Sequence, residues 1–196
     1  MLHTGAVLSL EDEARFLEEQ RDRMPYGVAL WPAAIALAHE LASRADSMSG
    51  ARLLELGAGT GLPGIVAASL GAAVVQTDRH PAAMAMCTRN AERNRVAGIV
   101  HRLADWAAWD DTGRYDLIVG SDILYAESKH EDLRRILVEN LAPGGRVLVA
   151  DPLRPMSVRF LEAVDSDGWT IGFARWKVGE EGTPRPIGVY ELTPPG

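Results

Sequence analysis

Apolar positions along this chain follow two alternating patterns. Short β-rich runs occur at Arg52–Leu56, Ala73–Thr77, Ile99–Leu103, Tyr115–Gly120 and Arg146–Ala150 and read as the strands of a parallel sheet. The last of them, RVLVA, is continuously apolar and reads as a buried strand. Between them, apolar residues recur at helical spacing. Residues 31–45 place Trp31, Ala34, Ile35, Ala38 and Leu41 on one face. Pro63–Leu70 follows the first strand with proline in the first turn, and Gly71 closes it. Pro81–Arg95 has an apolar side of Met84, Cys87 and Ala91.

Ser128 and Glu131 form an S-x-x-E pattern, which predicts a capping box opening a helix with Leu133, Ile136, Leu137 and Leu141 on one face. Pro143-Gly144-Gly145 ends it, and another helix runs from Pro155 to about Val164. Residues 9–23 begin at a capping Ser9 and read as a charged, exposed helix. Trp169–Trp176 and Pro186–Leu192 read as an antiparallel hairpin. Alternating strands and helices predict an α/β fold: a doubly wound, Rossmann-like sheet, mostly parallel with a C-terminal antiparallel hairpin, in three αβα layers. The expected organisation is a single domain over 1–196, with 1–45 as an N-terminal helical cap region.

Composition adds limits. The chain has 196 residues, 47% hydrophobic and 24% charged, as in an ordinary globular protein. Its formal charge of −7 argues against broad binding to a phosphate backbone. The longest apolar stretch, Val28–Ala38, contains Pro32 and falls far short of the ~20 residues of a membrane span. The first residues show no secretory signal pattern. Cys87 is the single cysteine, so no internal disulfide is possible, and the five histidines are scattered without metal-type spacing. No metal, no membrane and a cytoplasmic setting are expected.

The candidate chemistry begins at LLELGAGTG, residues 53–61, an apolar strand entering a glycine-dense turn. Gly57, Gly59 and Gly61 allow a sharp turn and close approach of a ligand. A helix starting near Pro63 would point its free N–H groups at that ligand. Asp78 ends the next strand, about 20 residues after Gly57, where a carboxylate can grip ribose hydroxyls. Residues 59–64 also satisfy G-x-G-x-x-G, so an NAD-dependent oxidoreductase and a non-catalytic nucleotide-binding module both remain open at this point.

Glu55-Leu56-Gly57-Ala58-Gly59-Thr60-Gly61 resembles motif I of class I S-adenosylmethionine-dependent methyltransferases. An acid before the first glycine suits a ligand carrying an ammonium and a sulfonium better than a pyrophosphate. Asp-x-x-Tyr at Asp122–Tyr125, with Leu30-Trp31-Pro32-Ala33-Ala34 upstream and Thr77-Asp78-Arg79 after the second strand, resembles the seven-β-strand protein-lysine methyltransferases (methyltransferase family 16). The match runs from about Tyr26 to Pro152. Eukaryotic members of that family begin with β-structure before the Leu-Trp segment, where residues 9–23 here read as helix.

The resemblance implies S-adenosyl-L-methionine as cofactor and S-adenosyl-L-homocysteine as product. It implies that Trp31 packs against the cofactor, that Gly57, Ala58 and Gly59 line its methionine and ribose portions, and that Asp78 takes the ribose hydroxyls. Asp105 would stand near the adenine amino group, Trp106 beside the ring, and Ser121 near the reactive end. Asp122 and Tyr125 would form the catalytic mouth for an acceptor amine. The implied reaction is N-methylation of a protein lysine, with a small-molecule amine as the alternative acceptor. Nucleic acid is a poor acceptor, because Asp122-Ile123-Leu124-Tyr125 lacks the prolines of base amino-methylases and Cys87 lies on an apolar helix side. The number of methyl groups transferred and the oligomeric state stay open.

Overall fold

The strands pair in the order β3-β2-β1-β4-β5-β7-β6 in a computed structural model that describes residues 29–179 and 184–196. The helix expected over 9–23 lies outside the described residues. The strands are β1 Arg52–Leu56, β2 Ala73–Asp78, β3 Val100–Leu103, β4 Tyr115–Ser121, β5 Leu141–Asp151, β6 Thr170–Val178 and β7 Arg185–Thr193. The helices are α1 Pro32–Ser43, α2 Leu62–Ser69, α3 Pro81–Arg93, α4 His130–Asn140 and α5 Pro155–Ser166. β1 to β5 are parallel neighbours, whereas β7 inserts antiparallel between β5 and β6. This is the expected α/β class, with the hairpin at one edge.

Strand alternation sorts the core into two layers. Leu53, Leu117, Val119, Leu148 and Ala150 face α1 and α2, joined by Leu37 and Leu41 of α1 and Ala67 of α2. Leu54, Leu56, Ile118, Val147 and Val149 face the other way, against Leu133, Ile136 and Leu137 of α4 and Phe160 and Val164 of α5. Each fully buried leucine or isoleucine contributes roughly 1.5–3 kcal/mol of transfer free energy. α1 buries Ala33, Ala34, Ala36 and Ala38, whose small side chains let its backbone approach the sheet closely.

Two expectations fail locally. Ser128 does not cap α4: it lies in a single 3₁₀ turn, Glu127–Lys129, which leads the chain into the helix, and the N-cap Lys129 makes no side-chain capping bond. Because that turn already presets the entry, Glu131 and Asp132 serve instead as first-turn acids beside the positive end of the helix. Leu141 also leaves the helix and begins β5, pairing with Tyr115. Pro143-Gly144-Gly145 therefore forms a register shift within β5 rather than a loop before it, and pairing resumes at Arg146 opposite Leu117.

The strand order reverses between β1 and β4, and their carboxyl ends diverge into a crevice there. That switch point is where open α/β sheets bind ligands.

Candidate functional site

A cleft of about 240 Å³ opens at this switch point. Its walls come from the ends of four parallel strands and the entry to α1. Trp31, Gly57, Gly59, Asp78, Asp105, Trp106, Ser121, Asp122 and Tyr125, all singled out in the sequence, line it together. Ala58 does not. Its side chain packs under the turn with Met84 and Cys87, while its N–H donates to the Thr77 carbonyl at 2.9 Å.

The floor of the cleft is the turn after β1. Gly57 has φ +62°, and a Cβ there would lie 2.9 Å from Ile123 Cγ2 and 3.5 Å from the Trp106 ring. Only glycine fits that closeness and that backbone region. The Asp78 carboxylate is held by two backbone donors, Gly59 N–H at 3.1 Å and His80 N–H at 2.9 Å. Each carboxylate oxygen keeps a further lone pair for a hydroxyl donor. Cys87 donates its Sγ–H to the Gly59 carbonyl at 3.2 Å, and burial pushes that thiol's pKa well above its usual range.

Glu55 lies beneath the turn and is absent from the cleft wall, which corrects the role read for it from the sequence. It is 1% exposed. Its Oε2 accepts from the Gly64 N–H at 3.0 Å and from Gln76 Nε2 at 2.7 Å, and Gln76 also donates to the Gly61 carbonyl at 2.8 Å. The first-turn Gly64 N–H of α2 is thus taken by protein, not offered to a ligand, and Gly57 and Gly59 are the glycines of the turn that line the cleft. Burial raises the Glu55 pKa to about 8, against the opposing hydrogen bonds from Gln76 and Gly64, with the nearby Asp78 charge adding to the rise. A carboxyl so placed is mostly neutral at pH 7 and clamps the turn from below.

One wall carries Asp105 and Trp106. Asp105 Oδ1 accepts from the Ala107 N–H at 3.0 Å and so caps a short 3₁₀ turn, leaving Trp106 angled over Gly57. Lys129 Nζ stands 4.0 Å from Asp105 and 3.4 Å from Asp132. Its position on the rim, like that of His80, had no signal in the sequence.

The opposite wall follows β4. Asp122 donates its N–H to the Ala150 carbonyl at 2.8 Å. Its carboxylate receives a two-pronged ion pair from Arg154, Nε to Oδ1 at 2.8 Å and Nη2 to Oδ2 at 2.8 Å. The Asp122 side chain is 8% exposed and that of Arg154 28%. Nothing in the sequence pointed to Arg154, because it lies 32 residues from its partner. Asp122 (φ 52°) and Leu153 (φ 65°) are two of the three non-glycine residues with positive φ among the described residues, Arg95 being the third. Such backbone costs roughly 1–2 kcal/mol per residue. Here it turns both loops so that the pair can meet. Asp151, at the end of β5, accepts the Arg154 N–H at 2.7 Å, and its own carboxyl is pushed upward by burial first and by Asp122 in part.

The donor set suits an adenosine ligand: a fixed carboxylate, a glycine-walled floor, an indole face and a second carboxylate beside it. Among the described residues no group of His, Cys, Asp and Glu could hold a metal ion, and no helix is long and apolar enough to cross a membrane.

Comparison with known proteins points the same way. A family model described as lysine methyltransferase matches residues 10–167. The protein N-lysine methyltransferase METTL21A of Danio rerio is 35% identical over 74% of this chain and 69% of its own length. The histone-arginine methyltransferase METTL23 of Xenopus laevis is 34% identical over 59% of this chain and 53% of its own. Among solved structures, a ribosomal protein L11 methylase from Lactobacillus delbrueckii subsp. bulgaricus superposes with a TM-score of 0.64 at 25% identity, covering 87% of this chain and 89% of that one. Magnesium protoporphyrin IX methyltransferase from Synechocystis, with bound S-adenosylmethionine, shares the fold at a TM-score of 0.64 and 14% identity, over 94% of this chain and 84% of its own. A sheet with this strand order, a cleft at its switch point and a family match over most of the chain have one reading: the chain belongs to the lysine methyltransferase family and is a class I S-adenosylmethionine-dependent methyltransferase.

Proposed function

We propose that this enzyme methylates the side-chain amine of a lysine in a protein, within the cytoplasm. The observation that carries the reading is the convergence of Asp122 and Tyr125 with the cofactor-side residues on one open cleft. Tyr125 is 52% exposed at its mouth, so an acceptor side chain can reach in from solvent. METTL21A is named as a protein N-lysine methyltransferase, which supports the same acceptor. A cytoplasmic setting suits a lone cysteine buried as a thiol.

In this reading Asp78 takes the ribose hydroxyls, Trp106 covers the adenine face, and Asp105 accepts from the adenine amine. Trp31, Gly57, Gly59 and Ser121 line the remainder, with Ala58 supporting the turn from beneath. S-Adenosylmethionine, when bound, supplies a methyl group on a sulfonium, with the thioether of S-adenosylhomocysteine as the leaving group. The protein's task is alignment: Asp122 and Tyr125 hold the acceptor nitrogen in line at the end of the cleft and limit the water around it.

A lysine has a pKa of about 10.4, so presenting it neutral at pH 7 costs roughly 4–5 kcal/mol. Desolvation against Tyr125 and Trp31 favours the neutral amine, and the proton leaves to water before the nitrogen attacks.

Incubating the pure enzyme with methyl-labelled cofactor and either a cell lysate or its small-molecule fraction tests this function. The expected result is label in protein bands that survives denaturation and maps to methylated lysine. Label confined to small amines would overturn the lysine assignment.

A further inference from the structure

The acceptor mouth contains an electrostatic contradiction unless something offsets Asp122. A bare carboxylate beside an incoming lysine attracts it, but holds it as the ammonium and opposes the deprotonation that attack requires. The two prongs from Arg154 meet both carboxylate oxygens at 2.8 Å, with Asp122 nearly buried. A carboxylate has about four lone-pair sites, so it can still accept an N–H from the amine while so paired. Geometry on both sides is dedicated to the contact. Each loop turns through a positive-φ residue, Asp122 itself and Leu153, and Asp151 fixes the Arg154 backbone.

We infer that Arg154 is a positioning residue that cancels most of the Asp122 charge, so that the acceptor meets an oriented ion pair and can enter or become neutral. The inference rests on the amine-methylating function proposed above. Among the described residues, the other charged groups around this mouth are engaged elsewhere, and Arg154 is the cation bonded to Asp122. Lys129 is engaged with Asp105 and Asp132. Asp78 bonds the backbone N–H groups of Gly59 and His80, while Arg79 and His80 line the cleft beyond it. Behind the pair, the Asp151 pKa is raised by burial first and by Asp122 in part, and that of Tyr190 by burial first and by Asp151 next.

The test is the dependence of kcat on pH, which reports ionisations in the substrate complex. In R154Q the rising limb should move up by about one pH unit, the size expected when an opposite charge is left uncompensated beside the amine. In D122N it should move down, and D122N/R154Q should return near wild type. R154K, which keeps the charge, should stay within a few tenths of a unit of wild type. A merely structural arginine would lower kcat in R154Q equally at every pH, and that result overturns the inference.

A second readout needs no turnover. With S-adenosylhomocysteine bound, methylammonium titrated at pH 7 and followed by NMR should bind R154Q several-fold tighter than wild type, D122N more weakly, and the double variant close to wild type. Unchanged S-adenosylhomocysteine affinity shows that each variant is folded. Wild-type enzyme that labels no lysine would defeat the acceptor assignment alone, and the methylammonium series would still decide the role of Arg154. Equal methylammonium affinity in R154Q and wild type would overturn that role even where lysine labelling holds.

Discussion

Two carboxylates lie near the carboxyl ends of neighbouring strands, and the protein treats them in opposite ways. Glu55 is the penultimate residue of β1, and Asp122 comes directly after the neighbouring β4. Glu55 is sealed beneath the glycine turn with an amide and a backbone N–H for company, so burial pushes it toward the neutral form. Asp122 is almost as well buried but has a guanidinium across both oxygens. Desolvation alone disfavours charge, whereas desolvation with a bonded cation lets the charge persist. The cofactor side of the cleft therefore uses its acid to hold a backbone turn in shape. On the acceptor side of the proposed reaction, Asp122 is instead held against Arg154 where it lines the cleft.

The sharpest way to break this contrast is at Asp122. Asp122→Asn keeps the shape but leaves Arg154 without its anion, and turnover should fall at least 100-fold, about 3 kcal/mol of lost transition-state stabilisation. Affinity for S-adenosylhomocysteine, measured by calorimetry, should change little. Lost cofactor binding would place Asp122 on the wrong side of the comparison.

Gly64→Ala strikes the other acid. A Cβ at Gly64 would lie 2.5 Å from both Glu55 Oε2 and Gln76 Nε2. Overpacking and disturbed hydrogen bonds at a buried site should cost about 2.5 kcal/mol of stability. Urea unfolding checks it, and an unchanged midpoint would mean the clamp beneath the turn is loose.

Glu55→Gln sharpens the contrast most finely. The folded-state pKa of Glu55, about 8, lies above its ordinary value of 4.5. The folded protein thus holds this proton more tightly than the unfolded chain. Its stabilising contribution is complete below pH 4.5 and declines as pH rises from there through 8. Glutamine cannot ionise, so the stability of the variant relative to wild type should improve by about 4 kcal/mol between pH 5 and pH 9. Melting temperatures of the two proteins across that range give the answer. A constant difference would mean that Glu55 stays charged in the folded state.

Most of the cleft could be read from the chain because its residues follow strands directly. Gly57, Asp78, Asp105, Trp106, Ser121 and Asp122 each sit at or just past a strand's carboxyl end, and a parallel sheet brings all such ends to one edge. What stayed hidden depends on distance and direction. Arg154 meets Asp122 only because β4 and β5 are in register and two loops adopt positive φ. Glu55 sits in the motif as expected, but strand alternation and the α2 entry turn it under the floor. Ser128 and Glu131 had the spacing of a capping box, yet a 3₁₀ turn moved the helix start past the serine. The serine lines the cleft instead.

The inserted strand has a consequence for how this enzyme is made. β6 bonds only to β7 among the described strands, and β7 is synthesised after it. On the ribosome, β1 to β5 can associate while β6 waits as an unpaired segment. The cofactor half can thus take shape early. β7 pairs with Ala150 and Asp151 on the side away from β4, so the strand end whose Asp151 fixes the Arg154 backbone is complete only when translation has passed β7.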